Sequence, residues 1–218
     1  MVLSRVALDS AKRSTMIALQ NPALFHGAVE RAFEPRTKRA LWRVDMLYGR
    51  RYLLLLSEEI PNLSGIVEQF GTGEAPETRD YAPLLERIQQ GSSWKFRLHA
   101  NPTFSSINAK GSRGRVHACT LVGMPKAEEE KPGRKTQYGW IRSQAEKHGF
   151  AVDENDLNIA RIQWYAFSKP TGERVRLLGV TYEGTLTITD AQAFCGALTG
   201  GIGRGKPYGM GLLTVTRR

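Results

Sequence analysis

The segment of this 218-residue chain whose residue types most clearly suggest chemistry is a glycine-rich loop at residues 200–211. It reads Gly-Gly-Ile-Gly-Arg-Gly-Lys-Pro-Tyr-Gly-Met-Gly. Glycines let backbone N–H groups approach an anion closely, and two cations in the same loop add favourable charge. We therefore expect a cradle for a phosphodiester. Its expected members are the cations Arg204 and Lys206 and the glycines Gly201, Gly203, Gly205, Gly209 and Gly211.

Two other interpretations of this loop start from the same residues. The stretch from Gly200 to Lys206 aligns with the phosphate-binding loop of nucleotide-hydrolysing enzymes. Pro207 stands where that motif has its metal-binding Ser or Thr, which argues against a nucleotide site. A flexible connection that needs several positive φ angles stays open as the structural alternative.

The net charge indicates a polyanionic partner. Lys and Arg number 31 against 21 Asp and Glu, giving a formal charge of +10. Residues 1–90 carry 12 basic and 11 acidic side chains, whereas residues 91–218 carry 19 and 10. Such an excess favours nucleic acid ahead of an anionic membrane, with most of the binding expected in the second half.

Other classes of function are disfavoured by what the chain lacks. Cys119 and Cys195 lie far apart without a C-x-x-C pair, so we expect neither a zinc site nor a disulfide. His117 beside Cys119 offers only two ligands. The longest aliphatic run, Leu53–Leu56, is too short to cross a bilayer, and no secretory signal is visible. We expect no metal, no small-molecule cofactor, no membrane partner and a cytoplasmic location.

The first 90 residues predict a domain in the order strand, helix, strand, strand, helix, strand. Asn21-Pro22 is typical of a helix start, and apolar residues follow it at helical spacing. The predicted elements are a strand at 2–8, a polar stretch at 9–20, a helix of about three turns after residue 21, a hairpin of strands at 41–46 and 51–56, a helix at 63–70, an exposed loop at 71–83 and a last strand near 84–88.

Residues 91–218 predict a second domain with a similar order of elements. The expected elements are strands at 93–100 and 115–121, a loop at 124–135, a helix at 138–148, long strands at 158–167 and 174–188, a helix at 191–198 capped by Asp190, and a strand near 212–216. His99 falls on the polar face of its strand and His148 at a helix end, so both are predicted to be surface histidines. The fold class is α+β, with two tandem ferredoxin-like (βαββαβ) domains and a C-terminal glycine-rich loop.

Four segments together resemble a known family. They are Leu24-Phe25-His26, Phe-Arg-Leu-His-Ala-Asn-Pro at 96–102, Tyr-Glu-Gly-Thr-Leu at 182–186, and Gly-Ile-Gly-Arg-Gly-Lys-Pro-Tyr-Gly-Met-Gly-Leu-Leu at 201–213. The last resembles the RAMP superfamily of CRISPR-associated RNA-binding proteins. The set as a whole resembles the CasE-type endoribonucleases, which process precursor RNA in type I-E Cascade, and this resemblance covers essentially the whole chain.

The resemblance implies metal-independent cleavage of the CRISPR repeat transcript at the 3′ base of its stem. The 2′-hydroxyl attacks the adjacent phosphate and leaves a 2′,3′-cyclic phosphate, or a 3′-phosphate, and a 5′-hydroxyl. His26 is then the catalytic residue, since histidine suits either proton transfer, and Glu30 at i+4 is placed to orient it. Ala23 stands where some members carry a tyrosine. Lys206 and Arg204 are candidates for stabilising charge on the phosphate. The structural alternative for His26 is a partly exposed surface residue.

Two basic turns are candidates for binding the RNA stem. One carries Lys169, Arg174 and Arg176 and resembles the family's groove-inserting hairpin, and the other carries Lys110, Arg113 and Arg115. Each, taken alone, is equally consistent with a solvated turn. The partners implied are CRISPR repeat stem-loop RNA, as precursor and as retained product, and other Cascade subunits. A non-catalytic RAMP-like RNA-binding subunit is the alternative function, and a generic RNA-binding module lacks the expected aromatic motif.

Overall fold

A computed structural model describes residues 1–33, 40–107, 113–126, 135–169 and 171–217, with side chains at Ile107 and Arg113 left out. The strands in these ranges are β1 (Val2–Ala7), β2 (Leu41–Leu47), β3 (Arg50–Ser57), β4 (Glu77–Asp80), β5 (Ser93–Ala100), β6 (Thr103–Ile107), β7 (Arg113–Ala118), β8 (Phe150–Val152), β9 (Asn158–Ser168), β10 (Arg174–Ile188) and β11 (Leu213–Arg217). The helices are α1 (Arg13–Gln20), α2 (Pro22–Arg31), α3 (Ser64–Phe70), α4 (Ala82–Leu85), α5 (Gln137–Lys147) and α6 (Ala191–Gly200), with a 3₁₀ turn at Lys206–Tyr208.

The N-terminal half forms one antiparallel sheet in the order β2-β3-β1-β4. The chain passes through α1 and α2 between β1 and β2, and through α3 between β3 and β4. This is the ferredoxin-like arrangement, in which the first and third strands lie at the centre. The centre of the sheet is apolar because Leu53–Leu56 of β3 are all buried.

The C-terminal half repeats that arrangement in a second antiparallel sheet, ordered β11-β5-β10-β8, with β9 also paired to β10. Its two central strands, β5 and β10, contain residues 96–100 and 182–186 of the segments singled out in the sequence. They pair directly, with Leu98 opposite Tyr182 and Arg97 opposite Glu183. The two sheets confirm the predicted α+β class with tandem ferredoxin-like units. The division at residue 90 stays a prediction.

The two halves share a hydrophobic core. One cluster surrounds Phe25 and Phe70 under the helices of the first half. The larger cluster lies around Leu98 and Tyr182 of the second half, and it also contains Leu41 and Leu56 from the first sheet. Apolar contact therefore fixes the two sheets against each other.

Helix α1 corrects the prediction of a polar stretch at residues 9–20. The hydropathy pattern missed this helix because polar side chains attach it to the protein. The Ser14 and Thr15 hydroxyls donate to the carbonyls of Gln69 and Phe70, at 2.6 and 2.9 Å. Thr15 is fully buried at this contact.

The fourth strand of the first sheet also differs from the prediction. The predicted loop at 71–83 contains β4, and the predicted strand near 84–88 is wrong because the short helix α4 occupies its start. Every β4 residue is exposed, so the strand has no alternation of apolar residues to reveal it. Its backbone pairs with β1, and an exposed ion pair between Arg5 and Glu77 spans the two strands.

Smaller corrections concern the second half. The strand predicted at 115–121 is β7 and ends at Ala118, and it pairs with β6, which was not predicted. The three-residue strand β8 was also missed. Lys110 and most of the predicted loop at 124–135 lie outside the described residues. Within the described ranges, no helix is both long enough and apolar enough to span a membrane.

Candidate active site

Helix α2 positions His26 at its exposed edge. The side chain of Asn21 accepts a hydrogen bond from the Ala23 N–H at 3.2 Å, and Pro22 occupies the first turn, as the sequence predicted. Phe25 is buried between Trp42 and Phe70, with ring centroids 5.8 and 4.7 Å away. Because adjacent helix residues differ by about 100°, the anchoring of Phe25 holds His26 beside the core and open to solvent.

Glu30 and Tyr208 both contact the imidazole of His26. Its Nε2 lies 3.5 Å from Oε1 of Glu30, one turn along the helix, and the His26 side chain is 26% exposed. The ring of Tyr208 meets it edge-on, with centroids 6.1 Å apart and planes at 68°. We call His26, Glu30 and Tyr208 the His26 corner. It joins a helix of the first half to the glycine-rich loop of the second.

The glycine-rich loop brings Tyr208 to this position through left-handed backbone. Gly205 and Gly209 flank the 3₁₀ turn with φ of 85° and 75°, values that favour glycine. Gly209 also packs against the Trp42 ring so closely that a Cβ there would lie 2.6 Å from a ring carbon. The loop thus seats Tyr208 on the N-terminal half.

Several N–H groups of this loop are used inside the protein. Gly201 donates to Ala197, Gly209 to Lys206, and Gly211 to the carbonyl of His99. Those three glycines therefore offer packing and backbone pairing rather than N–H donors for an anion. Gly203 is exposed and Gly205 is half-buried. Binding of a phosphodiester by the five glycines of the loop stays a prediction.

The two cations of the glycine-rich loop, Lys206 and Arg204, have different surroundings. The Lys206 ammonium donates to the carbonyl of Gly200 at the end of α6, at 2.5 Å. Burial and the charges of Lys206 and Lys147 lower the pKa of His148, which is half-buried at the end of α5. Arg204 is exposed, and its backbone bridges to Asn101. Stabilisation of a phosphate by Lys206 or Arg204 stays a prediction.

The turn between β9 and β10 presents the predicted groove-binding cations, Lys169, Arg174 and Arg176, which we call the basic turn. Lys169 forms an ion pair with Glu173 at 2.6 Å, and this hydrogen bond raises the pKa of Lys169. Arg174 and Arg176 are exposed, and the Arg176 guanidinium lies 4.4 Å from the ring centroid of Trp164. Stacking on Trp164 limits the freedom of Arg176.

The basic turn adjoins the His26 corner. Phe167, buried at the base of the turn, also contacts Tyr208, with ring centroids 5.0 Å apart and planes at 63°. The second predicted turn is placed differently. Arg115 is exposed in the separate sheet of β6 and β7, the Arg113 side chain is not described, and Lys110 lies outside the described residues.

His99 corrects the prediction of a surface histidine. Its strand does alternate, but side chains of the neighbouring strands β9 and β10 contact the imidazole, which is 9% exposed. Nδ1 lies 2.9 Å from the Thr181 hydroxyl, and Nε2 faces the Tyr165 hydroxyl at 3.5 Å. Burial, with the nearby charges of Arg43 and Arg161, lowers the pKa of His99 to about 3. The imidazole is therefore neutral at physiological pH.

A buried ionic cluster beside His99 ties the two halves together. It consists of the buried pair Arg43 and Asp45 together with Arg97 and Glu183, whose side chains are about one-third exposed. Arg43 is 2% exposed and donates to the carbonyls of Arg97 and Leu212, at 2.9 and 2.7 Å, and to Asp45 at 2.6 Å. Arg97 bonds to both Asp45 and Glu183. A cleft of about 330 Å³ opens between this cluster and Tyr208.

This arrangement suits proton transfer and anion binding. A solvent-accessible histidine beside a carboxylate can exchange protons with a bound ligand, and the basic turn next to it attracts polyanions. Among the described residues, no group of three or more His, Cys, Asp or Glu side chains is placed to hold a metal ion.

Sequence reasoning missed Tyr208 and Trp164. The position of Tyr208 between two loop glycines was the signal available for the former.

Comparison with known proteins gives consistent results. A family model described as CRISPR associated protein matches residues 1–217. The chain is 26% identical over 228 residues to the CRISPR-associated endoribonuclease Cse3 of Thermus thermophilus, covering 99% of each protein. It is 29% identical over 134 residues to the CRISPR system Cascade subunit CasE of Escherichia coli, covering 59% of this chain and 60% of that protein. A solved structure of CRISPR endoribonuclease Cse3 bound to a 19-nucleotide RNA is 25% identical, with a TM-score of 0.73 over 99% of this chain and 100% of that one.

Proposed function

The chain belongs to the CRISPR-associated protein family whose model matches residues 1–217, and from this membership we propose that it is a metal-independent endoribonuclease. Its substrate is the stem-loop of CRISPR repeat RNA, which it cuts at the 3′ base of the stem. The full-length relative is named an endoribonuclease, and a structurally similar relative is described as bound to RNA. Both support this reaction and this ligand.

The observation that carries the proposal is the setting of His26. It is accessible, lies 3.5 Å from a carboxylate, and adjoins a basic turn through Tyr208 and Phe167. Cleavage by the RNA's own 2′-hydroxyl requires removal of the 2′-OH proton and delivery of a proton to the departing 5′-oxygen. His26 performs one of these two transfers, and Glu30 orients its ring.

The electron flow determines the product ends. The 2′-oxygen forms a bond to phosphorus, the bond from phosphorus to the 5′-oxygen breaks, and that oxygen leaves with a proton. The products are a 2′,3′-cyclic phosphate, or the 3′-phosphate from its hydrolysis, and a 5′-hydroxyl. Lys206 and Arg204 are our candidates for offsetting the negative charge that builds on the phosphate.

Recognition of the stem is assigned to the basic turn. Double-stranded RNA is read mainly through its shape and its phosphates, and Lys169, Arg174 and Arg176 project from two long paired strands. Arg115, with Lys110 and Arg113, is proposed to contact the other side of the stem. The +10 charge of the chain agrees with a polyanionic ligand.

We also propose that the protein stays on its product and joins other subunits of Cascade, as the name of the E. coli relative suggests. Tight product binding implies single-turnover behaviour. Because the substrate is a newly made transcript, we expect the protein to act in the cytoplasm without a cofactor.

The proposal is tested by incubating purified protein with its host's repeat hairpin RNA in excess EDTA and analysing the product ends. A single cut at the stem base, with a cyclic phosphate and a 5′-hydroxyl, is the expected result. Cleavage that depends on added metal, or that leaves a 5′-phosphate, would contradict it. Tight binding without any cut would instead support the non-catalytic RNA-binding subunit.

A further inference from the structure

Neither the composition nor the sequence motifs of the chain assign a role to Tyr208. It is half-buried and contacts two aromatic rings that come from different halves of the molecule. Its ring meets His26 of α2 edge-on at 6.1 Å and Phe167 of β9 edge-on at 5.0 Å. Tilted and edge-to-face rings at these separations attract each other and favour a defined orientation.

The loop around Tyr208 is built so that this ring cannot easily move. The turn is closed by a hydrogen bond from the Tyr208 N–H to the Gly205 carbonyl at 2.8 Å. Each side of the turn favours glycine: Gly205 has a left-handed φ of 85°, and Gly209 has a φ of 75° and a place where a Cβ would lie 2.6 Å from the Trp42 ring. The glycines therefore fix the turn against the protein and aim Tyr208 at His26.

We propose that Tyr208 is a positioning residue for His26, and that seating this tyrosine is a principal task of the glycine-rich loop. Glu30 contacts the imidazole from its own helix, and Tyr208 contacts it from the C-terminal half. Together they hold the ring in one orientation toward the scissile phosphate. Because Phe167 also packs against Tyr208 at the base of the basic turn, Tyr208 links the RNA-binding element to the histidine.

This inference rests on the proposed endoribonuclease function, so its test begins with wild-type cleavage in EDTA. Single-turnover rates and hairpin affinities are then measured for Tyr208→Phe and Tyr208→Ala. Misplacement of a reacting group by about 1 Å can cost roughly 100-fold in rate. We expect Y208A to cleave at least about tenfold more slowly while its Kd stays within about threefold of wild type. Y208F keeps the ring and should cleave within about threefold of wild type.

A matched control is Tyr52→Ala on β3. Tyr52 is also half-buried, and its ring contacts Arg5 and Arg50 away from the His26 corner. Y52A should lose comparable packing and keep the wild-type cleavage rate. Equal slowing of Y52A and Y208A, or equal slowing of Y208F and Y208A, would overturn the positioning role.

An NMR measurement tests the contact between His26 and Tyr208 directly. The Cε1–H resonance of the His26 ring, assigned by its loss in His26→Ala, senses the ring current of Tyr208. It should move in Y208A and stay in place in Y52A. If Y208A does not fold, Tyr208→Leu replaces it. Wild type that does not cut refutes the proposed function, and an unmoved His26 resonance refutes the inference whether or not the RNA is cut.

Discussion

The two histidines at the junction of the halves illustrate how environment decides what a residue can do. His26 is 26% exposed, lies beside a carboxylate and adjoins the basic turn. His99 is buried against Thr181 and Tyr165, next to the buried ionic cluster, with its pKa lowered to about 3. The same side chain is therefore available for proton exchange at the first position and locked in its neutral form at the second.

The difference lies in what packs against each histidine. At the His26 corner, the halves meet through rings and leave the imidazole open to solvent. At the buried ionic cluster, Arg43 reaches from β2 to backbone carbonyls of the C-terminal half and closes the interface. The first contact leaves room for a ligand, whereas the second makes the relative position of the sheets rigid. The His26 corner, which is proposed to transfer protons, and the buried ionic cluster, which holds the two sheets together, thus occupy neighbouring but separate parts of one interface.

The largest expected effect distinguishes the two histidines directly. His26→Ala should lower the single-turnover cleavage rate by about 10²- to 10⁴-fold, the range of general acid–base catalysis, while hairpin affinity stays within a few-fold. His99→Gln should leave the cleavage rate of folded protein within a few-fold. Rapid cleavage by H26A, or loss of binding equal to its loss of cleavage, would contradict this division of roles.

The next effect concerns stability. Arg43→Met removes the buried guanidinium, so the carbonyls of Arg97 and Leu212 lose their donor, while Asp45 keeps its pair with Arg97. We expect a loss of about 1–3 kcal/mol in the free energy of unfolding for each buried group left unsatisfied. The control is Arg5→Met, which breaks the exposed pair with Glu77 and should cost at most about 1 kcal/mol. Denaturant unfolding measures both. Similar losses for the two variants would show that the buried ionic cluster does not fix the interface.

A smaller effect is predicted for RNA binding. Charge reversal of Lys169, Arg174 and Arg176 to Glu should weaken hairpin affinity and make its salt dependence shallower. Each lost phosphate contact reduces the slope of log K against log salt by about 0.7 to 0.9. Reversal of Arg79 and Arg87, exposed cations of the first half, is the control. If this control weakens binding as much, the attraction comes from net charge alone.

The smallest effect is a pH dependence from His99. Burial holds its folded pKa near 3 against an ordinary value of 6.5. Between these values the unfolded chain binds a proton that the folded protein does not, so stability falls as the pH is lowered from about 6.5. His99→Gln should remove up to about 1.4 kcal/mol per pH unit of this slope. Parallel stability profiles for the two proteins would mean that His99 is not held neutral.

Sequence patterns were sufficient where local rules determine the structure. The Asn21 cap, the apolar stripe of α2 and the alternation in β5 predicted their elements correctly. Helix α1 was missed because hydrogen bonds from Ser14 and Thr15 dock it, and such bonds leave no hydrophobic periodicity. Strand β4 was missed because it is an exposed edge strand held only by backbone pairing and surface polar contacts.

The candidate site was predictable only in part, because most of its contacts join distant segments. The resemblance pointed to His26, and helical spacing pointed to Glu30. No local rule placed Tyr208 against His26, since 182 positions separate them and the loop's left-handed glycines determine the contact. His99 was misjudged for the same reason: alternation identifies the two faces of a strand, but not which distant side chains, here Tyr165 and Thr181, will pack against them.

The most direct test of the central claim uses a repeat hairpin RNA with a single 2′-deoxy nucleotide on the 5′ side of the cut. Removing that hydroxyl removes the nucleophile and leaves the stem and its phosphates unchanged. We predict that this RNA binds with the affinity of the unmodified hairpin and is not cleaved at that site, even in prolonged incubations without metal. Cleavage of the deoxy substrate at the normal position would contradict attack by the 2′-hydroxyl and, with it, the role assigned to His26.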